Sequence, residues 1–157
     1  MIREMDKSDW ESVSKIYKQG IESGIATFTP KCPEYDEWDK AHLKVCRFVY
    51  EDDGEVQGFI VLSPVSAREV YRGVVEVSIY VAENCHRKGI GSALIEYMKK
   101  EAKKAGFWTL FSSALAVNKG SIAMHKKCGF REIGYRERIA KDIFGNWQNS
   151  IIMEYRM

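Results

Sequence analysis

Apolar positions along the chain recur with two periods, and the switches between those periods mark out an α/β domain. Ile2 to Met5 reads as a short strand. Trp10, Val13, Ile16 and Tyr17 follow at spacings of 3, 3 and 1, a helical stripe that Asp6 or Ser8 would cap. Gly20 to Gly24 is expected to loosen that helix ahead of a loop at Thr27-Phe28-Thr29-Pro30. A second helix is expected from about Tyr35 to Val45, after Pro33. Arg47 to Tyr50 and Val56 to Leu62 flank Asp53-Gly54, a hairpin turn signal, and Val74 to Val81 continues that sheet.

Gly89 to Ala105 is the clearest helix. Ile90, Ala93, Leu94, Tyr97, Met98, Ala102 and Ala105 form one apolar stripe, and Gly106 supplies a stop. Trp108 to Ala114 reads as a strand, Ser121 to Lys127 as a short helix ended by Gly129, and Glu132 to Ile139 and Ser150 to Tyr155 as closing strands. The order β-α-α-β-β-β-α-β-α-β-β belongs to an α/β domain with a mixed sheet. No repeat or linker composition divides residues 1–157, so one domain is expected.

Composition narrows the classes. Hydrophobic residues at 45% and charged residues at 29% suit an ordinary globular core and argue against disorder. The longest apolar runs, such as Phe59 to Leu62, are far shorter than the ~20 residues that span a bilayer. Met1-Ile2-Arg3-Glu4-Met5-Asp6 has no apolar leader stretch, so a cytoplasmic protein is expected. Cys32, Cys46, Cys85 and Cys128 form no C-x-x-C pair, and His42, His86 and His125 have no ligand spacing, so four reduced thiols and no metal are expected. A net charge of +2 is too small to indicate nucleic acid. Lys99, Lys100, Lys103 and Lys104 lie opposite the apolar stripe beside Glu96 and Glu101, as a solvated helix face does.

The chemistry is concentrated in Ile79-Tyr80-Val81-Ala82-Glu83-Asn84-Cys85-His86-Arg87-Lys88-Gly89-Ile90-Gly91-Ser92. A strand ends, a basic turn follows, and glycines open a long helix, whose free N–H groups and dipole favour an anion. By spacing alone, an ordinary turn with two glycines fits as well. No Gly-Lys-Ser/Thr is present for a Walker loop, and Leu94 stands where a dinucleotide fingerprint needs its third glycine.

Strand alternation adds a second candidate. Val75, Val77, Ile79 and Val81 share one face, while Glu76, Ser78 and Tyr80 share the other. A solvated glutamate on an edge strand and a general base facing a cleft both fit that pattern.

The glycine turn resembles the pyrophosphate-binding motif of the GNAT superfamily of N-acetyltransferases, with His86 where Arg or Gln is usual. Asn118-Lys119-Gly120-Ser121-Ile122-Ala123-Met124-His125-Lys126-Lys127-Cys128-Gly129-Phe130 is similar to that superfamily's later segment, with His125 where many members carry Tyr. Ala26-Thr27-Phe28 with Trp38, Arg68-x-x-Tyr71-Arg72, Glu76-x-Ser78-x-Tyr80-Val81, His125 and Gly145-x-Trp147 together resemble the phosphinothricin acetyltransferase group.

The resemblance implies a mostly antiparallel twisted sheet in which one parallel strand pair splays to admit CoA. It implies acetyl-CoA as co-substrate, a small amino-acid-like amine as acceptor, and a homodimer. Glu76 would be the base and His125 a source of the thiolate's proton, although solvent could supply it and His125 could instead only pack or hydrogen-bond. Ile79, Tyr80 and Val81 would hold the acetyl and pantetheine groups. His86, Arg87, Lys88, Gly89, Ile90, Gly91, Ser92, Asn118 and Lys127 would hold the rest of the cofactor. Arg68 and Arg72 would grip a substrate carboxylate, with Phe28, Tyr71, Ser78 and Trp147 around it, though by residue type alone two solvated loop charges fit equally. Cys85, beside the turn, is expected to be structural. Two alternatives stay open: a protein N-terminal or lysine acetyltransferase, and a non-catalytic acyl-CoA-binding module.

Overall fold

The computed structural model describes residues 1–157. Its strands are β1 (Ile2–Glu4), β2 (Phe48–Asp52), β3 (Glu55–Pro64), β4 (Val74–Val81), β5 (Thr109–Leu115), β6 (Arg131–Lys141) and β7 (Trp147–Arg156). Its helices are α1 (Trp10–Ser23), α2 (Tyr35–Ala41), α3 (Ile90–Lys104) and α4 (Lys119–Lys127). The seven strands form one sheet in the order β1-β2-β3-β4-β5-β7-β6. Every neighbouring pair is antiparallel except β4–β5.

β3 explains why the apolar run Phe59 to Leu62 does not alternate. All four residues are buried, because helices cover both faces of this central strand. Phe59 meets Trp38 of α2 on one face. On the other, Gly58 lies so close to Ile90 and Leu94 of α3 that a Cβ would crowd them. The buried stripe of α3 is Ile90, Leu94, Ile95, Met98 and Ala102, whereas Ala105 is exposed beyond the last turn.

The start of the chain is tied by charge. The Arg3 fork donates to both carboxylate oxygens of Asp9 at 2.8 Å each, and its Nε donates to Glu51 at 3.0 Å. Asp9 also accepts the Asp6 N–H at 2.7 Å, so a short 3-10 turn from Lys7 to Asp9 leads into α1.

Four expectations about boundaries are corrected. Gly20 does not loosen α1, which runs on to Ser23; it makes room for the Tyr80 ring, which a Cβ would strike. Gly24, at φ 74°, is the residue that ends the helix. α2 stops at Ala41 rather than near Val45: His42 turns extended, its Nδ1 meets the Trp38 carbonyl at 2.7 Å, and Arg47 takes the carbonyls of Asp39, His42 and Leu43. α4 begins at Lys119, since Asn118 rather than a later residue caps it, and β7 begins at Trp147, paired with Lys141.

Candidate active site

The site is made by a strand pair that parts. β4 and β5 pair only at Val74–Thr109, Val75–Leu110 and Glu76–Phe111. β4 nevertheless stays paired with β3 as far as Val81. From Val77 onward the β5-facing edge of β4 is therefore open, and a cleft of about 1120 Å³ runs along it. The five residue steps from Glu76 to Val81 span roughly 17 Å, a length suited to an extended arm laid between the strands.

One end of the cleft is the glycine turn. Arg87 at φ 64° and Gly89 at φ 79° curl the chain into α3. The first helical bond runs from the Ala93 N–H to the Gly89 carbonyl, so the amides of Ile90, Gly91 and Ser92 have no helical acceptor. His86 folds back on the Val81 carbonyl, with Nε2 at 3.0 Å. Gly91 packs against Met124 of α4 without room for a Cβ. Across the opening, Asn118 caps α4 by accepting the Ser121 N–H at 3.3 Å, and Lys127 lies on the wall at the far end of that helix.

The other end is the fork itself. Glu76 is half-buried, and burial pushes its carboxyl above the ordinary glutamate range, while the charge of Arg136 pulls it partly back. Such a carboxyl titrates nearer neutrality than a surface glutamate. Ser78 and Tyr80 follow on the same face. The Tyr80 phenol is pushed upward, first by burial and then by Tyr17, so it stays protonated. Phe28 and its neighbours in the α1–α2 loop line the same cleft, with Thr27 hydrogen-bonded to the Tyr80 phenol.

His125 lies on the opposite face, buried beside Ser112, whose register places it one residue beyond the last β4–β5 pair. Its Nδ1 is 2.7 Å from the Ser121 carbonyl, which can only accept, so Nδ1 carries the proton. Nε2, at 2.9 Å from the Ser112 hydroxyl, is then the acceptor. Burial lowers the pKa of this ring, against the Ser121 carbonyl, and favours the neutral form. Both nitrogens are engaged, and neither offers a spare proton.

Most residues singled out in the sequence meet in this one cleft: Glu76 and Ser78 at the fork end, Ile79 to Val81 along β4, Phe28 on the α1–α2 loop, and the turn, Asn118, His125 and Lys127 beyond. Lys88 is not part of its wall. Nor does the structure bring Arg68, Tyr71 and Arg72 there. They occupy the 3-10 turn between β3 and β4, where Arg68 lies over the Tyr71 ring and Arg72 over Trp108. Trp147 is likewise outside the wall, exposed beneath Lys141. The sequence carries no local signal for Ser112 or Arg136: one is a single polar residue in a strand, the other a charge on a closing strand.

The chain's relationships agree with this geometry. Residues 7–130 match the acetyltransferase (GNAT) family. The chain is 33% identical over 145 residues to YwnH of Bacillus subtilis (strain 168), with 89% of each chain covered. It is 25% identical to the L-methionine sulfoximine/L-methionine sulfone acetyltransferase of Salmonella typhimurium, covering 99% of this chain and 94% of that one. The crystal structure of a phosphinothricin acetyltransferase from Sinorhizobium meliloti in complex with acetyl-CoA superposes with a TM-score of 0.92 at 26% identity, over 100% of this chain and 88% of that one. No group of side chains suited to a metal ion occurs, and no helix is long and apolar enough to cross a membrane. A sheet that parts beside a glycine turn leaves room for a thioester cofactor, and with a match of this extent the chain belongs to the acetyltransferase (GNAT) family, as an acetyl-CoA-dependent N-acetyltransferase.

Proposed function

We propose that the enzyme acetylates the primary amine of a small amino-acid-like acceptor, of the phosphinothricin or methionine sulfoximine and sulfone kind, by direct attack in a ternary complex. The observation that carries this reading is the position of Glu76. A half-buried carboxyl with a raised pKa stands on the cleft wall at the last rung before the strands part. The names of the related acetyltransferases support the acceptor class.

When bound, acetyl-CoA supplies an acetyl group already activated as a thioester. The amides of Ile90, Gly91 and Ser92 would hold its pyrophosphate, with Arg87 and Lys127 adding charge. The open edge of β4 at Ile79 to Val81 would align its arm, and Asn118 would shape the opposite wall. Lys88 would add only long-range charge. Glu76, directly or through one water, takes the proton that an ammonium acceptor must lose before its nitrogen can attack. Phe28, Ser78 and Tyr80 exclude water and orient the acceptor. His125 holds Ser112 in place, and solvent returns the proton to the departing thiol, whose pKa near 8.5 makes a strong acid unnecessary. Arg68, Tyr71 and Arg72 act, if at all, from outside the cleft.

A peptide acceptor would need an open groove at Phe28. Here the tip of the β6–β7 hairpin meets the α1–α2 loop, with Phe144 packed on Gly24, and narrows that approach. The exposed apolar side chains of Ile133, Tyr135, Ile139 and Trp147 on β6 and β7 support a homodimer. Four unpaired thiols suit a reducing cytoplasm.

Thiol release from acetyl-CoA, measured with methionine sulfoximine, methionine sulfone, phosphinothricin, plain amino acids, polyamines and an N-terminal peptide, tests the reading. Saturable turnover with the sulfoximine, the sulfone or phosphinothricin and none with the peptide is expected. Turnover with the peptide alone, or tight cofactor binding without turnover on any amine, would replace it.

A further inference from the structure

Behind Ser78 lies a second, much smaller cavity, of about 20 Å³. Tyr17, Ser78 and Tyr80 line both this space and the cleft, so those three side chains form a wall the two share. Register fixes its place. Ser78 pairs with Val61 and Tyr80 with Phe59, and the same row continues to Glu76, paired with Ser63. α2 covers this row where Trp38 meets Phe59.

Trp38 and His42 close the cavity from above. Only Phe59 and Val61 bring no polar atom to it, and polar atoms make up the larger part of its wall. An apolar void of this size stays dry, whereas a polar one of at least about 10–15 Å³ holds a water that finds partners around it.

His42 supplies one such partner in a defined state. α2 ends at Ala41, and the His42 ring lies against Trp38 with centroids 4.6 Å apart. Its Nδ1 is 2.7 Å from the Trp38 carbonyl, which can only accept, so Nδ1 carries the proton. Burial lowers the pKa of this ring and favours the neutral form. Nε2 is therefore a bare acceptor, and no protein group donates to it.

Ser78 is the group that such an acceptor can orient. Its hydroxyl has one proton and two lone pairs, and it rotates to suit its surroundings. A water that donates to Nε2 keeps its own lone pairs for the Ser78 O–H, which then points away from the cleft. The Ser78 oxygen is left to face the cleft as an acceptor, in the same row as Glu76.

We propose that the small cavity is a one-water site and that His42 is a positioning residue: through this water it turns the Ser78 hydroxyl so that the oxygen accepts an N–H of the acceptor amine. The positioning role rests on the amino-acid acceptor proposed above, whereas the water site rests on the cavity alone. With one N–H held by Ser78 and another by Glu76, the direction of the nitrogen lone pair is fixed.

Kinetics and a direct view of the site test it together. In His42→Phe, which keeps a ring on Trp38, KM for L-methionine sulfone should rise about 3- to 10-fold, the usual weight of one hydrogen bond. kcat and the KM for acetyl-CoA should not change. His42→Gln, which returns an acceptor near Nε2, should recover most of the rise, and adding His42→Phe to Ser78→Ala should cost nothing further. Additive losses, or a loss that His42→Gln does not rescue, would overturn the positioning role. High-resolution crystallography of the wild type should show one water within hydrogen-bond distance of Nε2 and the Ser78 hydroxyl, and imidazole nitrogen NMR should find the proton on Nδ1. A dry cavity, or a proton on Nε2, would overturn the site whatever the acceptor proves to be. A wild type with the water in place that acetylates no amino acid would overturn the acceptor reading, and the positioning role with it.

Discussion

Glu76 and Phe111 form the last rung between β4 and β5, and the cleft proposed for catalysis begins where that ladder stops. A parallel pair normally gains stability from every further rung. Here β4 keeps its full pairing with β3 while its other edge beyond Glu76 lies open along the cleft. The carboxyl of Glu76 is placed by the sheet itself, at the apex where the acceptor and the thioester would meet.

The turn into α3 depends on Gly89. Its φ of 79° is left-handed, and a Cβ there would meet nothing within 4 Å, so Gly89→Ala is penalised through the backbone alone. The cost is about 1–2 kcal/mol. Relaxation of that strain would re-aim the amides of Ile90 to Ser92. Calorimetric titration should show acetyl-CoA binding weakened about tenfold, equivalent to ~1.4 kcal/mol. Unchanged affinity would mean that those amides do not hold the cofactor.

His125 is expected to matter for stability more than for turnover. His125→Gln loses the Ser121 contact and repacks the buried ring site, costing about 1–3 kcal/mol and lowering Tm by about 3–10 °C. kcat/KM at a temperature where the variant is folded should stay within about threefold, below the 10²-fold or more expected of a general acid. A large loss of kcat with a shifted basic limb would make His125 the proton donor.

The same ring gives stability a pH dependence of definite sign. Burial lowers its pKa in the folded state, so above roughly pH 6.5 folded and unfolded chains both hold it neutral. Below that, the unfolded chain takes up a proton that the folded one resists, and stability falls. His42, also lowered by burial, acts in the same direction. Urea denaturation should show this decline below pH 6.5, and His125→Gln should flatten it. An equal slope in both proteins would remove His125 as a source.

Much of this was legible in the chain. The period-2 run Val75 to Val81 placed Glu76, Ser78 and Tyr80 on one face, and the glycines at 89 and 91 marked the turn that opens α3 beside the cleft. Legibility failed where a residue's role depends on a distant partner. Gly20 read as a helix breaker because nothing local shows the Tyr80 ring lying against it. Arg68 and Arg72 had the composition of a carboxylate clamp, but their turn stacks them on Tyr71 and Trp108 outside the cleft. Ser112 gains its partner only when His125, on a later helix, folds against it.

The contact of Phe144 with Gly24 has its own consequence. Gly24 needs its left-handed φ of 74°, and a Cβ would run into the Phe144 ring. Gly24→Ala should lift the hairpin tip and misplace the acceptor, raising its KM about tenfold, within the range that small misalignments impose. The KM for acetyl-CoA should not change, since the glycine turn is at the other end. Equal effects on both substrates in steady-state kinetics would argue against a separate acceptor enclosure.

The most direct test of the account is the pH dependence of kcat for the wild type and Glu76→Gln with methionine sulfoximine, with the product identified by mass spectrometry. The account predicts an N-acetylated product and an acid limb in the wild type above the ordinary carboxylate range. In Glu76→Gln that limb should disappear and kcat should fall by about 10²-fold or more, with acetyl-CoA binding retained. Equal turnover in the two proteins across pH would contradict it, because the amine would then lose its proton without the carboxyl at the fork.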